Sequence, residues 1–404
     1  MRILVVAQDF PWPPTYGSRL RLVQLLEEAV SLGETDLFSF VTGAPGEQYE
    51  VPDGLAITRV ETAVSRLQRY TPARRLQFLA SRLPLEAIAL TSPGAAERFS
   101  SWARPEYDVV WFSKAMTYFR LGRPKLGPTI VDLDDLEDRK IVARLTAMRN
   151  DRERGGLVNY LGATTQARLN ARRWRSFQNA TAACADRVVL CSELDVDRFG
   201  TGNAVIVPNG FEAPAVPAGR VQVGDPPVLL LQGSLGYGPN SDAARWLVTT
   251  IAPRIRTELP QVRVRLVGDP DGTVVNLDDP PAVTVVGRVP EMDPELRLAD
   301  IVCVPLRYGS GTRVKILEAF ANRIPVVSTS IGAEGLGVEH GRHLLVADDP
   351  ESFAAACLRL LTEPDLRKQL ADSAEHEFLE RHQWTVARER IRRLFSELAR
   401  PSAR

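Results

Sequence analysis

The sequence predicts an α/β protein built from two Rossmann-like domains, and three observations carry that prediction. Short all-apolar runs alternate with segments of helical periodicity through most of the 404 residues, the pattern of a parallel sheet covered on both faces. A proline- and glycine-rich stretch at 213–227 separates two such series. Residues 305–336, PLRYGSGTRVKILEAFANRIPVVSTSIGAEGL, join a strand end, a glycine-rich turn, a helix and a second strand. Strands connected by a helical crossover run parallel.

Taken in order, residues 3–7 form an apolar strand, and 8–17 a proline-rich loop ending in Gly17 and Ser18, before an amphipathic helix at 20–32. This opening lacks the G-x-G-x-x-G fingerprint of a dinucleotide cofactor. Further strands are expected at 36–41, 56–60, 109–112, 130–133, 188–190 and 205–207. Between them, 66–90 interleaves Arg66, Arg69, Arg74, Arg75 and Arg82 with Leu67, Leu76, Phe78, Leu79 and Leu83. A basic amphipathic segment of this kind lies on a membrane surface, grips an anionic acceptor, or is a solvated helix face packed on its own domain. DLDDLEDRK, 132–140, puts carboxylates at the C-terminal end of a strand, where Asp132 and Asp134 read as a metal-binding D-x-D pair or as helix-capping acids. Residues 141–185 are helical and arginine-rich, broken at Gly155 and Gly156.

The second series begins with a strand at 228–231 and the loop GSLGYG, 233–238, where three glycines let backbone approach a ligand. A helix follows, with Pro239 suited to its start and Asn240, Ser241 and Asp242 as candidate caps. Strands are expected at 263–267, 283–286, 301–304 and 324–327, and closing helices at 352–361, 364–381 and 385–398.

Composition sets bounds on function. With 25% charged residues and a formal net charge of zero, the chain lacks the basic excess of a general nucleic-acid binder. Its four cysteines show no C-x-x-C spacing and read as reduced residues of a cytoplasmic protein. The N-terminus reads as a strand broken by Asp9 and nearby prolines rather than as a signal peptide, and no apolar run reaches membrane-spanning length.

The strongest chemical signal is a conflict of charge. Arg313 and Lys315 fall in the first turn of a helix, where the macrodipole already supplies partial positive charge and favours an acidic residue. An anion resolves the conflict: a phosphate meets free backbone N–H groups, the dipole and both cations together. Lysine occurs only at 114, 125, 140, 315 and 368, so its use here stands out where arginine is the habitual cation. Glu318, three residues past Lys315, reads as an ion-pair partner worth ~0.3 kcal/mol or as an acceptor for sugar hydroxyls.

GSGTRVKILEAFANRIPVVSTSIGAEGL, starting at Gly309, resembles the donor-nucleotide segment of glycosyltransferase family 4, retaining enzymes of the GT-B fold. VIVPNGFE, 205–212, resembles the exit from that family's first domain. The resemblance implies two Rossmann-like domains facing across a cleft, with the last helix returning to the first. Residues 1–210 would hold the acceptor, 211–383 the nucleotide sugar, and 384–404 would form the returning helix. Glu318 would bind the donor's ribose. Arg313 and Lys315 would act electrostatically on the diphosphate, with Gly309, Ser310, Gly311 and Thr312 supplying the loop around it. Gly233, Ser234, Gly236, Gly238 and Asn240 would face the donor's sugar and phosphates, and Arg288 the base. Gly17 and Ser18, in the first loop, and Asp134 or Asp135 would lie on the acceptor side. The chain departs from the family where Ser310 replaces the first glutamate of E-x7-E.

All four histidines fall at 340 or later, so the first-domain histidine base of inverting GT-B enzymes is missing. The expectation is a metal-independent retaining transferase with no cofactor, using a nucleotide-diphosphate sugar and a hydroxyl acceptor. Peripheral membrane contact through the first domain is one further option, and no nucleic-acid partner is expected. A GT-B sugar-nucleotide epimerase and a non-catalytic nucleotide-sugar binder are the alternatives.

Overall fold

The structure, a computed structural model, describes residues 1–14, 17–43, 49–69, 71–150, 157–220, 222–309, 311 and 313–399. It divides into two compact units, Met1–Pro208 with Ala387–Arg404, and Asn209–Val386.

The first unit carries β1 (Arg2–Ala7), β2 (Glu34–Val41), β3 (Arg59–Val64), a small antiparallel pair β4 (Arg66–Leu67) and β5 (Leu90–Thr91), then β6 (Val109–Ser113), β7 (Thr129–Asp134), β8 (Arg187–Leu190) and β9 (Ala204–Ile206). Seven of these form one parallel sheet in the order β3-β2-β1-β6-β7-β8-β9. The central strands are apolar at every position of β1 from Ile3 to Ala7, as burial on both faces requires.

The second unit carries β10 (Val228–Gln232), β11 (Arg263–Val267), β12 (Val283–Gly287), β13 (Ile301–Val304), β14 (Val326–Ser328) and β15 (Leu345–Val346), in the order β12-β11-β10-β13-β14-β15. Every ladder between them is parallel. In both sheets the order runs outward from the first strand and then reverses, the doubly wound pattern whose ligand crevice lies beyond the C-terminal ends of the strands at the reversal. In the second unit that place is between β10 and β13.

The helix Trp384–Leu398 belongs to the first unit from Ala387 onward. Phe395 is fully buried with its ring edge-on to Trp111 of β6, centroids 5.8 Å apart. Arg392 donates to the buried Glu28 carboxylate at 2.7 Å.

Several expectations shift. The strand expected at 56–60 is β3 at Arg59–Val64, and the one expected at 324–327 is β14, because Pro325 lacks the N–H a ladder needs. The first helix begins at Gly17, so Gly17 and Ser18 form its opening turn rather than the end of a loop. The stretch expected as a linker at 213–227 is packed on its own unit. Ala218 N and Gly219 N donate to Asn322, and Gly224 N and Val228 N to the fully buried Asp300 carboxylate. The break expected at Gly155 and Gly156 lies outside the described residues. Among the described residues no helix is long and apolar enough to cross a membrane.

Candidate donor site in the second unit

At the reversal of the second sheet, three chain segments converge. β10 ends in Gln232, followed by Gly233 at φ +129. A Cβ on Gly233 would lie 3.2 Å from both Asn240 Nδ2 and Lys315 Nζ, so this glycine is where the first loop closes on the cation. Gly309, at φ +133 in the loop after β13, stands in the same relation to Arg313, 3.2 Å from its Nη2. The helix Val314–Ala321 follows, with Arg313 as its N-cap residue, Lys315 in its first turn and no acid there.

The Lys315 ammonium donates to Asn240 Oδ1 at 2.8 Å. Among the described residues it makes no ion pair, Glu318 included. Burial, and then the neighbouring Arg313 charge, push its pKa down from 10.5 to about 7. Glu318 instead accepts from Gln232 Nε2 at 3.0 Å. Burial pushes its carboxyl up, with the Gln232 hydrogen bond and Lys315 opposing. The ion-pair reading of Lys315 and Glu318 is thus replaced by two separate amide contacts, one to each charged group. Arg313 is buried and donates to Gly311 O at 2.9 Å and Ile331 O at 3.5 Å.

The first loop is braced from below. Asn240 Nδ2 donates to Ser234 O at 2.8 Å and Gly236 N to Asp269 O at 2.7 Å. The helix Gly238–Trp246 has Tyr237 as its N-cap residue, with no side-chain cap. Asn240, Ser241 and Asp242 therefore do not cap it: Asn240 bridges the loop to Lys315, and Asp242 takes a two-armed contact from Arg307 at 2.5 and 2.9 Å. Gly238 packs beside the Tyr308 hydroxyl. Arg307 and Tyr308, unremarked in the sequence, thus tie the loop after β13 to this helix.

Gly233, Asn240, Lys315, Glu318, Gly309, Gly311 and Arg313 lie together at this convergence. Ser310 and Thr312 lie outside the described residues. Arg288 follows β12 at the sheet's far edge; it is exposed, and its guanidinium has no hydrogen-bond or ion-pair partner among the described residues. Gln232 was missed because a polar residue ending an apolar strand carries no signal of its own.

In the first unit the sheet's C-terminal edge holds a charged cluster. Lys114, after β6, and Asp134, ending β7, both have positive φ, 71 and 62, a costly backbone for residues with side chains. Lys114 Nζ donates to Asp134 Oδ2 at 2.8 Å, and Cys191 Sγ to Asp134 Oδ1 at 2.9 Å. Burial alone would raise the Asp134 carboxyl, but Lys114, Arg21 and the Cys191 hydrogen bond hold it well below the usual range. Lys140 pairs with Asp135 at 2.6 Å. Asp132 is buried against Arg21, which donates to its two oxygens at 2.8 and 3.2 Å and to Val207 O at 3.0 Å. Each carboxylate of the D-x-D pair is thus met by a basic side chain. Gly17 and Ser18 make no described hydrogen bond to this cluster. Lys114 and Arg21 were not legible because their partners lie 20 and 111 residues away.

Residues 226–363, about a third of the chain, match the family model described as Glycosyl transferases group 1. A Klebsiella pneumoniae protein described as an uncharacterized 44.6 kDa protein in the cps region is 30% identical over 145 residues, 31% of this chain and 35% of its own length. The chain spans between 28% and 36% of the length of the curated relatives it matches. Sucrose-phosphate synthase from Thermosynechococcus elongatus superposes with a TM-score of 0.70 at 16% identity, over 98% of this chain and 99% of that one. Anabaena HepE, solved in complex with UDP and glucose, gives 0.63 at 15% identity, over 98% and 99%. The fold is GT-B. In this GT-B chain the matched segment contains the whole convergence of Gly233, Lys315 and Glu318 described above.

Proposed function

We propose that the chain is a retaining, metal-independent glycosyltransferase that moves a sugar from a nucleotide-diphosphate donor to a hydroxyl acceptor. One observation carries the reading. A half-buried lysine with a depressed pKa and, among the described residues, no ion pair stands at a helix N-terminus beside a buried arginine, with glycine loops closed onto both cations. Such a site is short of negative charge, and a diphosphate supplies it. The group 1 family match over these residues and the UDP held by HepE support the same donor class.

In the proposed reaction the acceptor oxygen bonds to the sugar's anomeric carbon as the bond from that carbon to the phosphate oxygen breaks. The acceptor's proton passes to the departing phosphate oxygen. Negative charge grows on the diphosphate during this step, and Arg313, Lys315 and the loop amides stabilise it without rearrangement. The Glu318 carboxylate, oriented by Gln232, accepts hydrogen bonds from ribose hydroxyls. Asp134, held ionised by Lys114, suits the acceptor's hydroxyls as a hydrogen-bond acceptor and is a poor base. The free cysteines, three of them buried, support a reducing cytoplasmic setting.

The test is a thermal-shift screen of UDP-, GDP- and dTDP-sugars on the parent, Arg313→Ala and Glu318→Ala. The correct donor at a hundredfold excess over its Kd should stabilise the parent by about 2.7 kcal/mol, and both variants should lose most of that gain. No stabilisation by any donor, or equal stabilisation of both variants, removes the donor reading. Retention is checked by NMR of the sugar first released by slow donor hydrolysis: the inverted anomer refutes it, and an epimerised donor points to the epimerase instead.

A further inference from the structure

The first unit carries a surface that the transfer reading leaves unexplained. The helix Pro72–Ala80, with Thr71 as N-cap, buries only Phe78. Arg173 stacks on that ring at 4.0 Å and donates to Phe78 O at 2.5 Å. The other large apolar side chains point away: Leu76 is 69% exposed and Leu79 60%, one turn apart on one face, and Leu67 in β4 is 76% exposed. These are three of the four most exposed large hydrophobic residues among those described. A solvated face packed on its own domain would expose the arginines and bury the leucines. Here both are outside.

The charge around them is one-sided. Residues 62–85 contain Arg66, Arg69, Arg74, Arg75 and Arg82 and neither aspartate nor glutamate. Arg74 is turned inward to Ile88 O at 3.2 Å. Arg66, Arg69, Arg75 and Arg82 are exposed and have no ion-pair partner among the described residues. The nearest acid along the chain, Glu86, is engaged by Trp174 Nε1 at 2.7 Å and Asn170 Nδ2 at 3.2 Å. Exposed leucines and exposed arginines without an ion-pair partner among the described residues, spread over β4, the helix Pro72–Ala80 and the residues flanking it, match one kind of partner. An anionic bilayer accepts apolar side chains at its acyl boundary and offers phosphates at the level where arginine heads emerge.

We propose that β4 and the helix Pro72–Ala80, with the arginines that flank them, dock on an anionic lipid surface, with Leu67, Leu76 and Leu79 entering the acyl boundary and Arg66, Arg69, Arg75 and Arg82 meeting headgroup phosphates. This contact is peripheral and reversible, and it stands whether or not the chain transfers sugars.

Co-sedimentation of the full chain with large vesicles tests it. Vesicles of phosphatidylcholine mixed with phosphatidylglycerol should bind the protein, and pure phosphatidylcholine should bind it at least about tenfold less. Each of Arg66→Gln, Arg69→Gln and Arg75→Gln should lower the partition coefficient about fivefold at low salt, an effect that shrinks as salt is raised. The pair Leu76→Gln with Leu79→Gln should lower it at least about tenfold at any salt. Circular dichroism checks that these surface variants are folded. Absence of binding, equal binding to both vesicle types, or Leu variants that bind like the parent would overturn the proposal. Arginine-dependent binding indifferent to the leucines would indicate a soluble acidic partner instead.

Discussion

Raising the pH from about 6.5 to about 8.5 should weaken donor binding about 25-fold, and Lys315→Met should abolish that dependence. In the unliganded protein burial and the Arg313 charge bring Lys315 down to about 7. A bound diphosphate would restore the charged form, raising the pKa back toward its ordinary 10.5. Above pH 7 the liganded state therefore holds a proton the free state has lost, so binding takes one up. The affinity follows the protonated fraction of the free site, roughly three-quarters at pH 6.5 and roughly 3% at pH 8.5. Folding responds with the opposite sign. The unfolded chain keeps this proton up to about 10.5 and the unliganded fold only to about 7, so unliganded stability rises with pH across that window while donor affinity falls. Titration calorimetry with the donor selected by thermal shift, run in two buffers of different ionisation heat, reads both the affinity and the proton uptake. A parent affinity that is flat with pH and shows no proton uptake would refute the claim that Lys315 meets the diphosphate.

Gly233→Ala forces a side chain into φ +129 and sets its Cβ 3.2 Å from Asn240 and Lys315; calorimetry should show at least about tenfold weaker donor binding, with about 1 kcal/mol lost in urea unfolding. Asp132→Ala leaves the Arg21 guanidinium buried without its carboxylate, and chemical denaturation of the first unit should lose about 3–5 kcal/mol. Phe395→Ala opens a cavity against Trp111, costing about 3–5 kcal/mol, and tryptophan fluorescence should follow that unfolding; a loss under about 1 kcal/mol would mean the helix is not part of that core.

The parallel sheets were readable because strands buried on both faces are largely apolar: 301–304, apolar at every position, matched β13 to the residue, and 263–267, apolar at Val264, Leu266 and Val267 between two arginines, matched β11. Edges were harder. β3 is only partly buried and mixes Arg59, Glu61 and Thr62 with apolar residues without strict alternation, so its pattern did not separate it from the preceding loop. The π-helical turn at Leu247–Ile251 left no trace in spacing. At the candidate site the glycines and the misplaced cations were legible because each breaks a local rule. The partners that decide their behaviour, Gln232 and Asn240 above all, obey local rules and become meaningful only once the fold brings them within 3 Å of Glu318 and Lys315. The capping role expected of Asn240 failed for the same reason, since a local motif lost to a distant ammonium.

The first unit is made of two pieces of chain with the whole of the second between them. Because the ribosome delivers residues from the N-terminus, the sheet holding Trp111 is complete long before Phe395 exists to cover it. During that interval the indole and the Glu28 carboxylate have water, or a chaperone, in place of the last helix. Released chains that stop just short of Ala387 should therefore show a well-formed second unit and a first unit that is still open to protease.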